Sequence, residues 1–346
     1  MDEIKFEDFA NFKDKPATLP FSKGVNEGLQ SSPGEMIAGH GSFSTTIEID
    51  DKRAAKVTRL LNYGPFGILQ KDRTVGERFA VDKTSDPVLD EKEVLKVLSA
   101  YASERRNIYQ VVRGYMGEHI PRLFGSTISE SPRKIIQKEL HKHDNPLHQP
   151  ADEVLERVPE TEIAVVEIWE NLGNFKSLED LNYKEQAALY KDEGYRKAME
   201  DFATTSLRML VDGGVMIDIS DWGGIGVRTE NRKHAVDDLE KIELLVNHDE
   251  NKLQVIPRNT AFINGQVICY DTYPVENIRD FVDRPTLMSI ARSVKDRNSG
   301  SIRSLFSNQE VQLDNKGNDE ERKKLFVVCY LVLLDKLGAK WDGLVK

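Results

Sequence analysis

An α+β fold in two parts is predicted, a small β-rich part with one long helix and a larger, mainly helical part, and three observations predict it. Short alternating, β-branched segments crowd the region before residue 60. A long stretch of helical periodicity then separates them from further strand-like segments. The second half carries apolar residues at helical spacing over long runs. At 346 residues the chain is long enough for two lobes. The expected organisation is an irregular arm over 1–35, a small lobe over 36–145 and a large lobe over 146–346.

Composition narrows the classes. Charged residues make up 31% and hydrophobic residues 39%, and no apolar run approaches the roughly 20 residues of a membrane-spanning helix, so no membrane partner is expected. The acidic start, Met1-Asp2-Glu3-Ile4-Lys5-Phe6-Glu7, lacks the apolar core of a secretory signal, and a cytoplasmic location follows as the expectation. A formal net charge of −10 opposes sequence-independent binding to nucleic acid. Arg292, Lys295, Arg297 and Arg303 form a local basic run that reads as a solvated helix face. Cys269 and Cys329 sit in apolar runs and read as buried free thiols.

The elements follow in order. Residues 1–35 are punctuated by Pro16, Pro20, Gly24, Gly28, Pro33 and Gly34, which suits an irregular arm. Thr45-Thr46-Ile47-Glu48-Ile49 alternates, Asp50-Asp51-Lys52 is turn chemistry, and Arg53-Ala54-Ala55-Lys56-Val57 begins a second strand. Residues 60–88 read as an insertion. From about Asp90 to Tyr115 apolar residues recur at helical spacing, with Gly114 and Gly117 at the end. Strands are expected over 120–127 and 134–140, and a hinge at Leu140–Asn145, where His141, His143 and nearby His148 read as linker residues rather than as a metal set. A second insertion is expected near 150–183. One long helix is expected over 184–212, ending at Gly213-Gly214, and a buried helix around Leu325–Leu334.

The richest local signal is Gly39-His40-Gly41-Ser42-Phe43-Ser44 ahead of Ala54-Ala55-Lys56. Glycines at i and i+2 let backbone approach a polyphosphate closely, and small hydroxyl residues keep the turn uncluttered. The stretch resembles the first strands of the protein-kinase-like superfamily, whose pattern is G-x-G-x-x-G followed by A-x-K, with Ser44 at the third glycine and Thr46 at the usual valine. The order strand, strand, long helix, strand, strand is that family's small lobe. The resemblance is to an atypical, divergent bacterial-type kinase or pseudokinase. It implies that Gly39, Gly41 and Ser42 cover the phosphates of ATP, and that Lys56 holds them against a helix carboxylate. Glu104 and Glu93 are the candidates, with Glu104 preferred as the nearer to the following strands.

Two stretches compete for the catalytic and metal-binding segments that the resemblance implies. The first, Gly214-Val215-Met216-Ile217-Asp218-Ile219-Ser220-Asp221, follows the long helix directly but lacks the family's histidine and asparagine. The second runs from Val255 through Pro257-Arg258-Asn259, a strand, the Asn264-Gly265 turn and another strand to Asp271. Gln254 stands where its aspartate is expected. Asn259 and Asp271 are accordingly expected as the magnesium ligands, and Asp218 as the catalytic aspartate, with residues 221–253 inserted between the two halves. Asp237-Asp238 is set aside as a metal pair, because neighbours on a strand face opposite ways. The function expected from the resemblance is ATP- and magnesium-dependent phosphoryl transfer to an unknown protein or small-molecule acceptor. The alternative is a catalytically inactive pseudokinase that binds nucleotide or acts as an interaction scaffold.

Overall fold

The computed structural model describes residues 37–40, 44–48, 52–59, 91–132, 161–220, 224–236, 239–247, 254–271, 276–278, 282–306 and 319–345. The N-terminal arm, residues 60–88, the expected strand 134–140, the expected hinge and its histidines, and Asp237-Asp238 lie outside these. The architecture is mixed helix and antiparallel sheet. It divides into two compact units, Met1–Tyr109 with Arg122–Gly173, and Gln110–Pro121 with Asn174–Lys346.

The first unit is built on a five-stranded sheet in the order β1-β2-β3-β5-β4, with β1 (Ile37–His40), β2 (Ser44–Glu48), β3 (Arg53–Arg59), β4 (Leu123–Pro132) and β5 (Thr161–Glu170). Helix α1 (Glu91–Met116) joins β3 to β4 in sequence and continues into the second unit from Gln110. Every neighbouring pair is antiparallel, and the register sets Thr46, Lys56, Glu167 and Ser126 side by side across four strands. Directly opposed residues share a face of the sheet, so Lys56 and Glu167 lie on one face. Arg105 of α1 reaches that face and holds Glu167 with Nε and a terminal nitrogen at 2.7 and 3.0 Å. Trp169 Nε1 donates to the same carboxylate at 3.3 Å, and the Tyr109 ring meets Trp169 edge-on.

Strand β5 corrects the sequence-based expectation, which left its residues in an insertion. Buried Val165, Glu167 and Ile168 occupy both faces of the strand, so its pattern is a near-continuous run interrupted by an acid rather than a clean alternation. The acid is tolerated because a guanidinium comes down on it from the helix.

In the second unit, α2 (Tyr183–Lys191) and α3 (Glu193–Arg208) replace the single helix expected over 184–212. Asp192 is the reason. Its N–H closes α2 on Leu189 O, and its carboxylate accepts from Tyr195 N at 2.7 Å to start α3. A wide turn at Met209–Gly213 follows and stops at Gly214, whose φ of 69° is left-handed. The core gathers on α7 (Asp319–Lys336), apolar around its circumference from Leu325 to Leu334 and therefore enclosed on all sides. It packs against α3, α4 (Leu239–Asn247) and α5 (Arg284–Lys295), with Tyr330 and Phe202 the largest fully buried side chains. Helix α6 (Ser299–Arg303) packs on α4 and α5. Both cysteines are buried thiols outside any disulfide, and Cys269 Sγ donates to Asp271 O at 3.4 Å. Arg292, Lys295 and Arg297 are exposed, as a solvated face requires.

Three small sheets complete the unit. β6 (Val215–Met216) pairs with β12 (Glu276–Asn277), β7 (Ile225–Arg228) lies between β8 (Lys233–Val236) and β9 (Gln254–Val255), and β10 (Thr260–Ile263) pairs with β11 (Gln266–Cys269). In the last hairpin, Asn264 and Gly265 take φ of 51° and 81°, the two left-handed positions of a two-residue turn.

Two stability predictions follow from this packing. Glu167→Ala leaves Arg105 charged and buried without its acid, and urea denaturation is expected to show a loss of about 3–5 kcal/mol. Gly265→Ala meets no atom within 4 Å, so its expected loss of about 1 kcal/mol comes from the positive φ alone.

Candidate functional site

The site grows from the end of the wide turn at Met209–Gly213. Gly214 redirects the chain into β6, and after Met216 the segment Ile217-Asp218-Ile219 folds on itself, with Ile219 N donating to Ile217 O at 2.9 Å. This three-residue turn sets Asp218 at its bend. Downstream, Arg258 N donates to Ile219 O at 3.0 Å and docks the Pro257-Arg258-Asn259 segment on the Asp218 turn. Asn259 adopts a φ of 53°, a conformation that asparagine tolerates better than most residues. Its Nδ2 donates to Asp218 O at 2.9 Å and reaches Asp218 Oδ2 at 3.3 Å. Tyr270 N donates to Asn259 O at 2.9 Å, which carries the hairpin round to Asp271.

The two stretches that competed in the sequence thus form one cluster. Asp218, Asn259 and Asp271 come together within the second unit, although Asp218 and Asn259 are 41 residues apart in the chain.

The electrostatics of Asp218 reflect its surroundings. Burial pushes its carboxyl up from the ordinary 3.8 to about 7. Arg258 and the Asn259 hydrogen bond oppose the rise, and the charges of Asp271 and Glu179 add to it. Glu179 lies on a short 3-10 turn, Leu178–Asp180, capped by Ser177. The Ser177 hydroxyl donates to Thr260 O and accepts from the Tyr270 phenol at 3.1 Å, tying the turn to the hairpin.

The oxygens available to a cation here are two carboxylates and a carboxamide. With Nδ2 turned to Asp218, Asn259 Oδ1 makes no hydrogen bond to any described residue. These are hard donors of the kind magnesium takes. Among the described residues no group of three or more His, Cys, Asp and Glu is placed to hold a metal ion.

The remaining expected site residues belong to the first unit. Gly39 lies on β1 opposite Thr46, beside an irregularity between Ile37 and Gly39. Gly41 and Ser42, which lie between β1 and β2 in the sequence, are outside the described residues. Lys56 is half-buried on β3. Glu93 and Glu104 both fall on α1, with side chains outside the described part. The α1 side chain that meets the sheet face of Lys56 is Arg105, which sequence reasoning passed over in searching that helix for an acid. Arg258 and Glu179 were passed over as well; the signal for Arg258 was its place beside Asn259.

The raised carboxyl of Asp218 has a testable consequence. A proton held by the folded state up to about pH 7 is lost by the unfolded chain above about pH 3.8. The stabilisation from this group is therefore complete below pH 3.8 and declines as pH rises to about 7. A carbon-13 NMR titration is expected to place the midpoint of Asp218 near 7, and Asp218→Asn to flatten the fall in urea midpoint between pH 4 and 7.

Comparison with models of known protein families, with curated protein sequences and with solved structures finds no match.

Proposed function

We propose that this chain is an ATP- and magnesium-dependent phosphotransferase of protein-kinase-like, two-lobed build. The observation that carries the reading is the Asn259–Asp218 hydrogen bond, with Asp271 beside it. Three residues named from a resemblance, drawn from two separate segments, belong to one cluster. The sheet order β1-β2-β3-β5-β4, with a long helix between β3 and β4, adds support.

In this reading Gly39, Gly41 and Ser42 cover the phosphates of ATP, Lys56 engages the α- and β-phosphates, and Glu104 is the helix acid that orients the lysine. Asn259 and Asp271 hold magnesium, which supplies charge neutralisation at the phosphates when bound. Asp218 orients the acceptor hydroxyl and takes its proton as the oxygen forms a bond to the γ-phosphorus and the bond to the ADP oxygen breaks. A carboxyl raised to about 7 is matched to that exchange near neutral pH. Asn259 holds the carboxylate in place, and Arg258 favours its ionised form.

A second reading, a catalytically silent nucleotide-binding or scaffold protein, is favoured by one observation. Glu167, the acid directly opposite Lys56, is engaged by Arg105 through two hydrogen bonds. Its carboxylate thus serves the helix–sheet contact.

Calorimetric titration with ATP, with and without magnesium, tests the proposal. Magnesium-dependent binding is expected for the native chain, weakened at least about tenfold in Lys56→Ala and in Asp271→Ala, the scale of one lost charge-assisted contact. Asp218→Asn is expected to keep the nucleotide and lose phosphoryl transfer. Absence of nucleotide binding by the native chain would overturn the reading. Binding without transfer to any acceptor would favour the silent one.

A further inference from the structure

The hairpin β10–β11 carries Asn259 at one foot and leads to Asp271 at the other, and a two-stranded ribbon is marginal unless something holds it from outside. The register shows where its outer edges need partners. Ile263 and Gln266 close the two-residue turn as a hydrogen-bonded pair, and Tyr270 N donates to Asn259 O at the far end. Alternation along an antiparallel ladder then makes Phe262–Val267 and Thr260–Cys269 the pairs whose carbonyls point outward. On the β10 side, Thr260 O accepts from the Ser177 hydroxyl at 3.4 Å. On the β11 side Val267 is fully buried, so its outward carbonyl needs a donor from the protein.

His119 supplies that donor. Its Nδ1 lies 2.8 Å from Val267 O, and because a carbonyl only accepts, the ring carries a proton there. His119 closes the 3-10 turn Gly117–His119 at the end of α1, against which β11 packs. Gly117, with a φ of 53°, turns the chain off the helix. Buried Met116 and Ile120 flank the turn, and Arg113 donates to Ile120 O and to Glu118 Oε1. The imidazole is itself buried, stands edge-on to Phe202 of α3 at 5.5 Å, and sets Nε2 3.2 Å from Asp201 Oδ2. The Asp201 side chain is 75% exposed, so solvent screens that contact, and the buried Nδ1 bond is the one that bears on the hairpin.

We propose that His119 is a positioning residue: its Nδ1–H fixes the outer edge of β11 and thereby holds Asp271 in place beside Asn259. The clamp stands on its own geometry; its bearing on magnesium rests on the phosphotransferase reading. Ser177 and His119 then grip the ribbon from opposite edges, and without the His119 bond the ribbon is held at its β10 edge alone.

The test separates the two ring nitrogens. In His119→Asn the carboxamide nitrogen falls near the place of Nδ1, and in His119→Gln near that of Nε2. Amide NMR of the full chain is expected to find Asn259, Tyr270 and Asp271 as in the native protein in His119→Asn, and shifted in His119→Gln. Calorimetry is expected to show magnesium-dependent ATP binding close to native in the first and about fivefold weaker in the second, the scale of one net hydrogen bond. Asp201→Asn, at an exposed position, is expected to leave both readouts unchanged. Each His119 variant removes one of the two ring contacts, so a merely structural role would not separate them. A nitrogen-15 spectrum of the native chain, which needs no variant, is expected to show the neutral ring protonated at Nδ1. The proposal is overturned if that proton sits on Nε2, if His119→Gln leaves the three amides as in the native chain, or if His119→Asn shifts them as far as His119→Gln does. Selective shifts in His119→Gln of a chain that binds no ATP would overturn the phosphotransferase reading and leave the clamp standing.

Discussion

One side chain ties the candidate site together. Asn259 makes both of its side-chain contacts to Asp218, one to the backbone oxygen and one to the carboxylate, from a left-handed backbone position. The constraint is geometric. The left-handed turn at Asn259 aims its carboxamide at Asp218 while the chain continues directly into β10, so one residue both ends a loop and starts a hairpin. The hairpin then returns, through Tyr270 N and Asn259 O, to leave Asp271 beside the same cluster. If this joint loosened, the Arg258 N to Ile219 O bond and the pairing of β6 with β12 would still tie the two segments together, but nothing would aim the carboxamide at Asp218.

Charge around that joint is unevenly distributed. The chain as a whole is acidic, with a net charge of −10, and in the second unit burial pushes the Asp218 carboxyl up against the opposing charge of Arg258, while Arg228 and Lys233 meet Glu179. The first unit solves the opposite problem. There a buried acid, Glu167, is matched in full by Arg105 and Trp169. A fully satisfied pair of this kind fixes how α1 lies on its sheet.

Much of this was legible in the sequence. The β2–β3 hairpin, the extent of α1, the stop at Gly214, the Asn264-Gly265 turn and the buried C-terminal helix all follow from short-range pattern, where backbone preference and tertiary packing agree. Asn259 and Asp271 could be picked out because they flank a hairpin with clear turn chemistry. The rest depends on contacts between distant residues. The break at Asp192 needs the knowledge that one carboxylate caps the next helix while its own N–H closes the last. Strand β5 was obscured because its buried acid makes sense only with Arg105 above it, 62 residues away in the chain. The cations around Glu179 come from β7, β8 and the Asn259 segment, and no local pattern marks their convergence.

The separation of 41 residues between Asp218 and Asn259 bears on how the molecule is made. Joining them closes a long loop whose ordering entropy must be met before the contact contributes anything. The three-stranded sheet β7–β9 and helix α4 lie within that loop, and once ordered they shorten the effective distance to be bridged. Formation of the cluster therefore depends on the order of the segment between its two halves. Excised peptides containing either half would lack it, and a chain with the intervening segment unfolded would lose both the cluster and the packing of α4 on α7.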